Sequence, residues 1–147
     1  MLIGFQFEVI YNDADLVQIS ISAWNGAFGG IAELYEPLGT LGKASVCLHG
    51  FPNSVKDVRE IAFGNFDRKF AGGGVRMRFH CIDGAAHAYV EAKIDSNCLK
   101  GGTVQNVVLA MPVEPSAIDI FVKGLQRLET DHVGTAQLKG FVSEGHY

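Results

Sequence analysis

A chain of 147 residues can build one hydrophobic core but hardly two, so the sequence predicts a single domain over residues 1–147. A hydrophobic share of 48% with 19% charged residues excludes a disordered chain, and a net charge of −4 argues against a nucleic-acid partner, which would call for a basic surface. No apolar run approaches the ~18 residues of a membrane helix, and three cysteines cannot all pair internally, so the expectation is a cytoplasmic protein, off the membrane, with reduced thiols.

The first residues alternate instead of showing a basic leader. In "FQFEVIY", Phe5, Phe7, Val9 and Tyr11 share one face, as a half-buried strand requires. Asn12 to Asp15 reads as a turn. "LVQISISAW" then sets Val17, Ile19, Ile21 and Ala23 against Gln18, Ser20 and Ser22, and Asn25-Gly26 signals a hairpin returning through "FGGIAELYE". Leu38, Leu41, Ala44 or Ser45, and Leu48 recur at helical spacing, which predicts a helix over 37–50 with Pro37 in its first turn and Gly50 and Pro52 as stops. Gly39 and Gly42 each weaken that helix by ~1 kcal/mol, so packing must hold it.

"VREIAFG" is a further strand and "NFDRKFAGGG" a loop. Next, Val75, Met77, Phe79 and Cys81 oppose Arg76, Arg78 and His80. After Asp83-Gly84 the alternation resumes, with Ala86, Ala88, Val90, Ala92 and Ile94 against His87, Tyr89, Glu91 and Lys93. A two-residue turn would set His80 opposite His87 and Arg76 opposite Glu91; a four-residue turn would shift the register by two and keep each face. "TVQNVVLAMPV" is another strand. Ile118, Phe121, Val122, Leu125 and Leu128 then make one apolar stripe of a helix over 114–129, opened by Glu114-Pro115, and "GTAQLKGFV" adds a last short strand. The order predicts an α+β fold, mainly antiparallel sheet and sandwich-like, with about seven short strands and two helices.

Two histidines, a cysteine and an aspartate within "RFHCIDGAAHAYVEA" raise the question of a metal or catalytic site. His80 and His87 are the metal candidates, but Cys81 neighbours His80 on a strand and points to the other face, and zinc wants three or four convergent donors. Cys47 and His49 in "CLHG" would not meet on a helix. "GTLGKAS" misses the phosphate-loop pattern at Pro37 and at Ala44. No catalytic residue and no cofactor is assigned. For partner binding the candidates are Trp24 and Tyr35 with Phe28, the carboxylates Glu33 and Glu36, and Arg76 and Arg78. Core packing is expected for at least two of the three aromatics, and cross-strand ion pairs for the arginines. Asp13, Asp15, Asp57, Glu60 and Asp67 are further acidic contacts for a cationic partner.

Several segments taken together, "W…G.FGG…LY" (Trp24 to Tyr35), "L.GFP" (Leu48 to Pro52), "GGGVRMRFHCIDGAAHAYVE" (Gly72 to Glu91) and "PVEPSAIDIFVKGL" (Pro112 to Leu125), resemble a family of small uncharacterised bacterial domains associated with toxin/immunity-type gene neighbourhoods. The resemblance implies a compact β-rich domain with a late helix and an immunity-type role, and carries no active-site residue. The functional expectation is therefore a non-enzymatic protein-binding module with an unidentified protein partner. The alternatives are a small metal-dependent or hydrolytic enzyme using His80 and His87, with Asp83 or His49, and a small-molecule carrier with a pocket between sheet and helix. Open strand edges would also admit a homodimer.

Overall fold

The computed structural model describes residues 2–66, 72–85, 87–96 and 105–142; most of the expected loop after Asn65, the candidate Asp67 and Ala86 lie outside them. Among the described residues the strands are β1 (Gly4–Asn12), β2 (Leu16–Trp24), β3 (Gly29–Pro37), β4 (Val58–Gly64), β5 (Gly74–Cys81), β6 (Ala88–Asp95), β7 (Asn106–Val113) and β8 (Gly134–Lys139). Helix α1 (Thr40–Leu48) follows β3, and helix α2 (Pro115–Asp131) precedes β8. Two four-stranded antiparallel sheets result, ordered β3-β2-β1-β8 and β4-β5-β6-β7. The fold is α+β and mainly antiparallel, with eight strands where about seven were expected.

Strand β3 touches all four strands of the second sheet. Gly30 approaches Ile94 and Val107 at one end, and the Glu33 carbonyl accepts a 2.8 Å bond from the Gly73 N–H further along. On the opposite side the chain beyond β8 leaves the first sheet at Ile3, where Gly140 donates to the Ile3 carbonyl at 3.0 Å. It then joins the end of β7 through Phe141 N–H to the Pro112 carbonyl. The buried apolar side chains form one continuous cluster, with Phe7 of β1 at its crossroads. Its ring meets Phe63 of β4 edge-on at 5.1 Å and Phe121 of α2 at 5.2 Å.

Helix α2 buries the predicted stripe of Ile118, Phe121, Val122, Leu125 and Leu128. Gly124 lets it lie close on β8, because a Cβ there would stand 2.8 Å from that of Ala136. Helix α1 is shorter than the predicted 37–50. Pro37 remains in β3 opposite Leu16, the chain turns at Gly39 with φ of 103°, and Leu38 stays at the surface. Leu41, Ala44, Ser45 and Leu48 are its buried face.

Side chains from distant elements hold both ends of α1. The Glu129 carboxylate of α2 accepts the N–H of Gly39 at 3.1 Å and of Gly42 at 2.9 Å, meeting free donors at the positive helix end. At the other end Arg59 of β4 donates to the carbonyls of Cys47 (3.1 Å) and His49 (2.6 Å). Gly39 lies outside α1 as its N-cap, while Gly42, inside it, makes room: a Cβ there would stand 3.1 Å from Glu129 Cγ, a side chain pinned by its two bonds. Glu129→Ala is therefore expected to cost about 1–2 kcal/mol in a urea unfolding experiment. Gly42→Ala should give none of the ~1 kcal/mol gain usual for that exchange in a helix.

Candidate interaction surface

The paired strands β5 and β6 carry the histidines, and their register decides what meets. His80 lies opposite Tyr89, Arg78 opposite Glu91 and Arg76 opposite Lys93. This is the four-residue turn; the two-residue register, with His80 facing His87 and Arg76 facing Glu91, does not form. Asp83 supplies the reason. Its carboxylate accepts the N–H of Ala85 (2.9 Å) and of His87 (3.3 Å) and binds the His87 ring at Nδ1 (2.5 Å), while Ile82 N–H closes the ladder on the His87 carbonyl. The bond to His87 above all holds the Asp83 carboxyl below its usual range.

His80 is engaged elsewhere, with Nε2 at 3.7 Å from Glu91. The two imidazoles thus associate with different carboxylates, and among the described residues no three His, Cys, Asp or Glu side chains converge. Cys81 is half-buried with Sγ 4.0 Å from the Ser54 carbonyl, and burial pushes its thiol pKa up, which disfavours the nucleophilic thiolate. Cys47 is exposed on α1 near the Glu60 carbonyl, and His49 caps the helix end.

The arginine candidates are ion-paired, Arg76 with Glu60 at 3.2 Å and Arg78 with Glu91 at 3.8 Å. Arg76 and Lys93, like charges directly opposite, also share the ring of Phe66 at 5.0 and 5.2 Å. Several acidic candidates serve the fold. Asp13 accepts the N–H of Asp15 and Leu16, Asp57 binds Arg59, and Glu36 accepts the Gly64 N–H at 2.5 Å while half-buried, its pKa raised by that burial.

The aromatics differ from expectation. Phe28 and Tyr35 are exposed and Trp24 is half-exposed, so none of the three belongs to the core. Strand alternation explains it: Ile19, Ile21 and Ala23 of β2 and Ala32 and Leu34 of β3 take the inner face, leaving Trp24, Ile31 and Tyr35 outside. On that outer face the cross-strand rows read Lys139, Gly4, Trp24, Gly29, then Gln137, Gln6, Ser22, Ile31, then Thr135, Glu8, Ser20, Glu33. Trp24 is flanked by two glycines and leans on Gly29, where a Cβ would stand 2.9 Å from its ring.

The missing side chains leave a hollow of about 430 Å³ bordered by Leu2, Gln6, Ser22, Trp24 and Ile31. A smaller one of about 150 Å³ shares Gly29, Gly30 and Ile31 and continues to Ile94 and Val107. Ile31, which borders both, is 62% exposed; Phe28 is equally exposed but lines neither. No local sequence signal brings Gly4, Gly29, Leu2 and Ile31 together; their meeting depends on the register of three strands. Among the described residues no helix is long and apolar enough to cross a membrane. Compared with protein-family models, curated proteins and solved structures, the chain matches none.

Proposed function

We propose that the protein is a non-enzymatic binding module of the immunity type, acting in the cytoplasm, that covers part of another protein with the outer face of the β3-β2-β1-β8 sheet. The observation that supports this reading is the apolar group Leu2, Trp24 and Ile31 gathered around a hollow on that sheet face. Exposed apolar patches rimmed by polar residues mark interaction sites, and tryptophan is enriched at their energetic centres. The rim here is polar, with Gln6, Ser22 and Glu33.

The test compares three tagged chains expressed in the bacterial host: the parent, Ile31→Glu and Val108→Glu. Both positions are exposed, on different sheets, so neither change should disturb folding. A protein retained by the parent and Val108→Glu but lost by Ile31→Glu is the expected result, and its toxic activity should fall to background with one equivalent of the chain. Equal retention by all three chains would overturn the assignment of the face; selective retention without inhibition would overturn the immunity role.

A further inference from the structure

We infer that the partner presents an apolar side chain to the Trp24 hollow together with a cationic side chain, lysine or arginine, to Glu8. This rests on the interaction-face reading above and adds the chemistry of the occupant. Gly4 and Glu8 lie four residues apart on the same side of β1, so the hollow and the carboxylate are about 13 Å apart. An extended segment with its anchor and its cation four residues apart spans that distance.

Charge decides the second contact. Glu8 is exposed, and its cross-strand neighbours are the neutral Ser20 and Thr135. Lys139 stands in the row of Gly4, about 13 Å along β8 from the Glu8 row, too far to neutralise it. The chain as a whole carries −4, which favours approach by a cationic surface.

The chain holds a single tryptophan, so its fluorescence reports on the hollow without a label. The probes are three tryptophan-free nine-residue peptides with a leucine followed, four positions later, by lysine, threonine or glutamate. At low ionic strength the lysine peptide should perturb Trp24 with an affinity about threefold above that of the threonine peptide, and the glutamate peptide should bind weakest. The threefold margin should vanish in Glu8→Gln, and in the parent chain at high salt. Equal affinity of the lysine and threonine peptides would overturn the cation requirement and leave the face reading standing. Tightest binding of the glutamate peptide would overturn it in favour of an anionic partner at Lys139. Silence of Trp24 towards all three peptides would instead count against the face itself. Sedimentation of the chain alone as a dimer that Ile31→Glu dissociates would make the occupant a second copy and overturn the cationic-partner assignment.

Discussion

Phe7→Ala is expected to lower the unfolding free energy by about 3–5 kcal/mol, the range for deleting a fully buried ring. Phe7 is completely buried and stands where the first sheet, the second sheet and α2 meet, its ring against Phe63 at 5.1 Å and Phe121 at 5.2 Å. The space it leaves cannot readily close, because β1 is bonded on one side to β2 and on the other to β8. Both edge-to-face contacts disappear with the ring, each worth about 0.5–1.5 kcal/mol beyond area. A domain of this size has about 5–15 kcal/mol in all, so the variant should be strongly depleted of folded protein on mild warming. Urea unfolding checks this: the midpoint should fall with little change of slope. Phe7→Leu, which keeps most of the volume, should lose clearly less. A loss below about 1 kcal/mol for the alanine variant would mean that the sheets and α2 do not share this centre.

What could be read from the chain before folding follows from the range of the interactions. Alternation in β2, β5 and β6 and the stripe of α2 depend on neighbours two to four residues away, so the faces of Ile19, Phe79 and Phe121 were readable directly. Turn lengths were less so. Asp13, Asn25 and Asp83 each accept backbone N–H groups two to four residues ahead, and at Asp83 that side chain selects the longer turn. The Asn-Gly and Asp-Gly pairs signal a hairpin without disclosing which turn wins. The caps of α1 were out of reach, since Glu129 is 90 residues from the Gly39 it binds. The Trp24 hollow was hidden in part: alternation in β2 puts Trp24 on the outer face with Ser20 and Ser22, but the empty space beside it comes from the pairing with Gly4 and Gly29 on neighbouring strands. The candidate surface is thus a product of register, and the helix start that misled at Pro37 is a product of an edge strand that tolerates proline.

Arg59→Ala should cost about 3 kcal/mol at neutral pH, because one guanidinium serves four acceptors. It grips both oxygens of Asp57, at 3.2 and 2.8 Å, and donates through its remaining nitrogen to the carbonyls of Cys47 and His49 at the end of α1. Its Cζ also lies 5.5 Å from the Phe51 ring centre. Arg59→Lys should recover little, since a single ammonium cannot reach the carboxylate and the helix end together. The bonds from Arg59 first, and then that from the Asn53 N–H, hold the Asp57 carboxyl below its usual range. A carboxylate with a depressed folded pKa stabilises the fold above its unfolded value, near ~4, and loses that contribution as pH falls through the lower folded value. Arg59→Ala removes most of that depression, so the gap between parent and variant should be widest at pH 7 and narrow below pH ~4. It should not close, because the bonds to the helix carbonyls do not titrate. Urea unfolding of both chains at pH 7 and pH 2.5 measures the gap at each end. A gap of equal size at both would show that Asp57 is a bystander and that Arg59 acts through the helix end alone.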